Sequence, residues 1–374
     1  MQAVPFCFGP TSTNLAIATE LRKMNADITW LAEGTALNLL RAGGYADQVI
    51  EFSLSNNSHK RQYASLIKQA DIVIVNTDPD FAEFSLELNE KTVYVDILYW
   101  MWNSLPPIVH KCALYVYEDF VRSDEQIKRI GLPSQSFRVG HLTNLDASML
   151  LNCSSSIGDH LLISLGGLLR PSTASYELLL SFKEMIWSAV IMALEKTNNF
   201  TEVYFASGGI KSEETTLSNG IKILSGCFSR EEHQKKMLTA KAVVMSPELT
   251  GFYEVVTAQT PVFFLPPHNY SQHLQLQSYK NFLLSSYYSD WSRLGIMKEM
   301  QCFLPEEQML DEVDKTLTAL LGKSELLSQH LLDFFNSGWK QHNPRPALDL
   351  LKMLEDRNPG GAKVAAQTIF NLCR

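Results

Sequence analysis

The sequence predicts an α/β protein of two doubly wound domains facing each other. Three observations carry this. Short apolar runs alternate with helical patterns along the chain, the apolar runs end in small or polar residues, and the alternation breaks once near the middle and restarts. A chain of 374 residues is long enough for two domains with sizeable cores.

The first series opens with the apolar run Val4–Phe8, which stops at Gly9-Pro10-Thr11-Ser12. A helix follows: Leu15, Ala18, Leu21 and Met24 recur on one helical face, and Thr11, Ser12 or Thr13 is placed to cap it. Ile28–Ala32 is the next strand, which makes a βαβ opening with no Gly-x-Gly-x-x-Gly fingerprint for a dinucleotide. Val49–Phe52 reads as a strand, His59–Ala70 as a helix, and Asp71–Asn76 as a buried parallel strand running into Thr77-Asp78-Pro79-Asp80. Thr92–Ile97, Ala113–Tyr117 and Phe137–Val139 complete the strands, with Glu125–Ile130 a helix between the last two.

Leu145–Gly158 is the least patterned stretch and marks the boundary, so the first domain is expected over 1–150 and the second over 158–345. The second series runs through His160–Leu165 with Gly166-Gly167 behind it, the helix Tyr176–Glu195, the strand Glu202–Ala206 and the strand Ile221–Leu224. From Phe228 to Gln272 it continues as turn, helix, the strand Ala242–Met245, a polar break at Ser246-Pro247-Glu248, a helix over Thr250–Ala258, the strand Val262–Leu265 and a polar loop. Helical patterns then fill Gln275–Leu284, Glu306–Leu321, Leu326–Asn336, Pro346–Glu355 and Lys363–Cys373, and 346–374 is expected to pack back across the domains.

Composition narrows the function. Hydrophobic residues make up 45% and charged residues 19%, which suits a globular protein, and the net charge is −8. With no basic run, nucleic acid is excluded as a partner. The six cysteines are isolated, without metal-ligand spacing, so neither a disulfide framework nor a metal site is expected. MQAVPFCFGP lacks the features of a secretory signal, and no stretch is long and apolar enough for a bilayer span, so a cytoplasmic location is expected.

Four features suggest a site, each beside a plainer reading. The helix opening at Thr250-Gly251 points free N–H groups at whatever lies above the preceding strand, which suits a phosphate, yet an ordinary βαβ unit has the same pattern. Asp78, Asp80 and Asp96 fall just past strand ends, where catalytic groups collect and where Asp is also a common cap. Tyr99, Trp100 and Trp102 form an aromatic cluster that serves equally as a ligand wall or as an interdomain or dimer contact. The glycine pairs after strands let a backbone approach a ligand, or are simply tight turns.

The Phe228–Gln272 stretch resembles the donor-binding signature of the GT-B, UDP-glycosyltransferase-like family, which includes plant and macrolide glycosyltransferases and, more distantly, the MurG type. Phe228 stands where the family stacks an aromatic on the base, and Ser246–Glu254 fills its His-Cys-Gly-Trp-Asn-Ser-x-x-Glu run. Pro261 and Pro267 match its prolines, and Ser271-Gln272 is similar to its closing Asp-Gln pair, with one residue inserted. The resemblance implies two Rossmann-like domains and transfer of a hexose from a UDP- or TDP-sugar to a small natural-product acceptor. It implies inversion, no metal, no cofactor beyond the nucleotide-sugar co-substrate, and a monomer or homodimer.

It further implies that Phe228 stacks the base, Glu254 holds the ribose, Ser246, Thr250, Gly251, Gly166 and Gly167 surround the diphosphate, and Ser271 and Gln272 read the sugar. The acceptor would meet Thr11, Ser12, Thr13, Asp96, Tyr99, Trp100 and Trp102. The chain departs from the family where its catalytic His belongs, since Pro10 stands there. Asp78 matches the partner Asp and is left as the candidate base if burial raises its pKa. An auxiliary protein without catalysis and a nucleotide-sugar epimerase are the alternatives.

Overall fold

The computed structural model describes residues 1–6, 8–44, 49–143, 145, 158–168, 176–208, 212–280, 287–296, 304–357 and 360–373. The chain divides into two compact units, Met1–Asn144 with Lys352–Arg374, and Leu145–Leu351. Leu145 thus falls in the second unit, and the chain from Lys352 returns to the first.

The first unit contains β1 (Gln2–Ala3), α1 (Gly9–Lys23), β2 (Trp30–Ala32), α2 (Gly34–Ala42), β3 (Val49–Glu51), α3 (Asn57–Gln69), β4 (Val73–Asn76), α4 (Pro79–Leu86), β5 (Thr92–Asp96), β6 (Leu114–Glu118), α5 (Ser123–Ile130) and β7 (Ser136–Val139). The first strand lies earlier than the apolar run suggests. Val4 makes the last ladder bond, its N–H to the Asn76 carbonyl at 3.1 Å, and Pro5 has no N–H with which to continue. Pro10 sits in the first turn of α1, where a missing N–H costs nothing, so Thr11, Ser12 and Thr13 lie inside the helix instead of capping it.

All pairings in this sheet are parallel, in the order β3-β2-β1-β4-β5-β6-β7. Helices cover both faces. On one, Leu15, Ala18 and Leu21 of α1 pack with Ile74, Val93 and Val95, and on the other Phe52, Phe81, Tyr94 and Tyr115 interlock. The strand order reverses between β1 and β4, which leaves a crevice above their carboxyl ends.

The second unit contains β8 (His160–Ser164), α6 (Tyr176–Leu194), β9 (Glu202–Ala206), β10 (Glu213–Thr216), β11 (Lys222–Gly226), α7 (Arg230–Thr239), β12 (Ala242–Met245), α8 (Leu249–Thr257), β13 (Val262–Phe264), α9 (Tyr270–Lys280), α10 (Glu306–Leu320) and α11 (Ser324–Asn336). Its sheet runs β10-β11-β9-β8-β12-β13, parallel except for β10. That edge strand, Glu-Glu-Thr-Thr, is exposed and has no apolar alternation to reveal it; its charges discourage pairing with another chain. Here the reversal falls between β8 and β12.

Two helices follow, α12 (Arg345–Arg357) and α13 (Gly361–Asn371). The second of them, α13, completes the first unit's core through Ala362, Ala365, Ala366 and Ile369. Its start is possible only because Gly361 has no Cβ, which would meet the carbonyl oxygens of Gly140 and His141.

Candidate functional site

In the second unit the loops after β8 and β12 lie side by side, because the Ser246 N–H donates to the Ser164 carbonyl at 2.9 Å and so extends the ladder past the strand ends. The β8 loop then turns at Gly166, whose φ of +66° is natural for glycine, and the Gly166 carbonyl accepts the Gly208 N–H at 2.8 Å. Gly167 packs so closely on Gly208 that neither turn has room for a side chain on Gly208.

Above β12, α8 begins with Leu249, Thr250 and Gly251, whose N–H groups have no carbonyl within the helix to bond. The partial positive charge of the helix end is therefore directed at the crevice. Gly251 seats the helix on β12, since a Cβ there would collide with the Met245 methyl group. Ser246 is buried, and its Oγ has no hydrogen-bond partner.

The charged groups are arranged around this point. Glu254 is buried on α8, and its Oε1 accepts from Arg230 Nη2 at 3.0 Å and Gln234 Nε2 at 2.7 Å, both on α7. A capping box of Ser229 and Glu232 fixes the start of α7 and so places Arg230. His233, one turn on, bonds Ser164 Oγ through Nε2 at 3.0 Å, and burial lowers its pKa, which keeps the ring neutral. Glu248 occupies the N-cap of α8 without making a cap hydrogen bond. Burial, with a contribution from Glu254, raises its pKa to about 7.

Of the residues expected to surround a donor, Gly166, Gly167, Ser246, Thr250, Gly251 and Glu254 are brought together at this crevice. The other three are engaged with neighbouring residues. Phe228 is half-buried, edge-on to Tyr204 at 6.1 Å between centroids and 5.2 Å below Lys236 Nζ. Ser271 and Gln272 are in the first turn of α9, not in a loop: Ser271 Oγ donates to Asn269 Oδ1 at 2.8 Å, and Gln272 folds back so that its Oε1 accepts the His268 N–H at 3.0 Å. Proline at 266 and 267 forces the chain into a turn that α9 then resolves early. Arg230, His233 and Glu248 went unmarked in the sequence, because charged residues near helix starts are commonplace there.

In the first unit, Asn76 at the end of β4 ties down α1. Its Nδ2 donates to the Pro10 carbonyl at 3.0 Å and to Thr13 Oγ1 at 2.8 Å, and Thr77 Oγ1 donates to Asn76 Oδ1 at 2.8 Å. Thr13 is therefore committed to the fold, and Thr11 is buried with an unpartnered hydroxyl. Ser12 is half-buried. Asp78 caps α4 by accepting the Phe81 N–H at 3.0 Å, and its other oxygen accepts Gln2 Nε2 at 2.6 Å. Burial raises its pKa.

Contrary to the acceptor-side expectation, Asp96, Tyr99 and Trp100 are closed off inside the protein. Asp96 is fully buried, accepting the Leu98 N–H at 2.8 Å, the Tyr115 hydroxyl at 2.7 Å and Trp102 Nε1 at 3.0 Å. Tyr99 and Trp100 are 0% exposed. Tyr99 donates to the Gly131 carbonyl at 2.9 Å and Trp100 to that of Ile97 at 3.1 Å, so each polar tip is satisfied inside the core. Only Trp102 keeps some exposure, and its ring is held by Asp96. Tyr99 and Trp100 thus belong to the packed interior, and Trp102 lies at its edge.

Among the described residues no helix is long and apolar enough to cross a membrane. No family model matches the chain, and no curated protein sequence matches it. Among solved structures it is similar to UGT89C1 from Arabidopsis thaliana complexed with UDP-L-rhamnose, with 10% identity, 100% of this chain and 99% of that one covered, and a TM-score of 0.58. It is also similar to Os79 from O. sativa, at 11% identity, in a complex with a trichothecene (100% and 99% covered, TM-score 0.54) and in a complex with UDP (99% and 99% covered, TM-score 0.53). At these identities the likeness shows the fold, which is the GT-B arrangement of two Rossmann-like α/β units.

Proposed function

We propose that this GT-B chain is a glycosyltransferase that moves a sugar from a UDP- or TDP-sugar to a small-molecule acceptor, with inversion and without a metal. The observation that carries the reading is the β8/β12 crevice, where the unbonded amides of α8 and the glycine turn at 166–167 suit a diphosphate. Glu254, oriented by Arg230 and Gln234, is the group for the ribose hydroxyls. As the sugar leaves, negative charge develops on the diphosphate, and preorganised helix amides stabilise that charge more than the ground state. The acceptor is assigned to the first unit's crevice near Ser12 and Asp78. Asp78 serves as the base there, its burial favouring proton uptake.

The nucleotide half of the reading is tested by thermal shift. UDP at ten times its dissociation constant adds about 1.4 kcal/mol, seen as a rise of a few degrees. No rise with UDP or TDP at concentrations up to roughly 10 mM refutes it.

One specific observation favours a second reading, an auxiliary protein without catalysis. Pro10 stands where the family has its His, and the Pro10 carbonyl is bonded by both Asn76 and Thr13. Release of UDP from a UDP-sugar with an acceptor present, lost in Asp78→Asn, supports the enzyme. Binding without release, while a partner transferase gains activity, supports the auxiliary.

A further inference from the structure

The carboxylate of Glu248 is out of place for its position. An acidic N-cap ordinarily accepts a backbone N–H from the first helical turn, yet this one makes no cap bond. Instead it lies over Gly166: a Cβ at that glycine would fall within the carboxylate itself. Gly166 and Glu248 belong to the loops that follow β8 and β12, so the side chain bridges the reversal point of the sheet. Among the described residues no hydrogen bond or ion pair reaches this half-buried side chain, and Ser246 Oγ, two residues before it, is fully buried and unpartnered. The charged and titratable groups nearby on the packed helices are Glu254 of α8 and Arg230 and His233 of α7. Arg230 is engaged with Glu254, and His233 with Ser164.

The Glu248 side chain is half-buried and has no hydrogen-bond or ionic partner among the described residues. At a helix N-terminus and beside a glycine turn it has the place and the charge of an anionic ligand. We propose that Glu248 is a specificity-determining residue that occupies the diphosphate position of this crevice and holds down the affinity for nucleoside diphosphates. The inference rests on the nucleotide-binding reading above and adds a residue that opposes it. A diphosphate enters only as the Glu248 side chain leaves Gly166, because two like charges cannot share the helix end. An uncharged nucleoside meets no such opposition.

Titration calorimetry with UDP and with uridine at pH 8 tests this on the full chain, Glu248→Gln and Glu248→Ala. Both variants are expected to bind UDP about tenfold or more tighter than the parent, with uridine affinity unchanged. Two substitutions of different size guard against one failing to fold, and circular dichroism checks each. UDP affinity that is equal or weaker in both folded variants overturns the inference and leaves the nucleotide reading standing. Uridine binding that tightens by the same factor also overturns it, since the crevice would merely have been loosened. If neither ligand binds the parent or the variants, both readings fall.

Discussion

Replacing Arg230 with methionine is expected to lower the unfolding free energy of the second unit by about 3–5 kcal/mol, the range for removing one partner of a buried ion pair. Arg230 and Glu254 are each 5% exposed at the side chain, and their contact at 3.0 Å fastens α7 to α8. Methionine fills much of the volume but leaves the Glu254 carboxylate buried without this cation, with Gln234 still donating at 2.7 Å. Urea denaturation followed by circular dichroism measures the loss. The double variant Arg230→Met with Glu254→Leu is expected to recover most of it, because an apolar pair of similar volume needs no ionic partner. A loss under about 1 kcal/mol, the value typical of exposed pairs, would mean that solvent screens this one.

Glu118→Gln is expected to stabilise the first unit at alkaline pH relative to acid pH. Glu118 ends β6, is 0% exposed, accepts the Leu142 N–H through Oε1 at 2.8 Å, and has no partner at Oε2. Burial, with Asp119 adjoining, raises its pKa from 4.5 to about 8. Below about pH 4.5 the acid is neutral whether the chain is folded or not, so it costs nothing. As pH rises toward 8 the unfolded chain ionises and the folded one does not, so stability falls, and the loss is complete once the folded pKa is passed. Glutamine does not titrate. Its stability relative to the parent should therefore rise by on the order of a few kcal/mol between pH 5 and pH 8.5, read from urea midpoints at each pH. A difference that stays constant with pH would show that Glu118 is ionised in the fold.

Much of the architecture was legible because parallel sheets bury both faces. A strand such as Val73–Asn76 then reads as an unbroken apolar run, and Ala242–Met245 coincides with the observed strand. Where polarity broke that rule, reading failed. The exposed β10 has no apolar pattern, and β1 is only Gln2–Ala3, because Pro5 interrupts the run that follows it. The spacing of Ser246, Gly251 and Glu254 likewise located a crevice, since a helix that starts behind a strand end puts its first residues there in any open α/β sheet.

By itself, then, the sequence determined two doubly wound units and the helix end that follows β12, while the order of the strands, and so the place where each sheet reverses, came from the tertiary structure. The former follow from local periodicity and from which residues can turn a chain. The tertiary structure alone decided what each polar or aromatic side chain does. Tyr99, Trp100 and Asp96 satisfy one another's neighbours inside the first core, Glu254 is paired with Arg230 from another helix, and Glu248 lies on Gly166 from another strand. Several of those contacts, such as Tyr99 with Gly131 and Arg230 with Glu254, join residues far apart in the chain. Composition and spacing are silent about them, because a side chain's role depends on which partner the fold brings within reach and on whether water is left there.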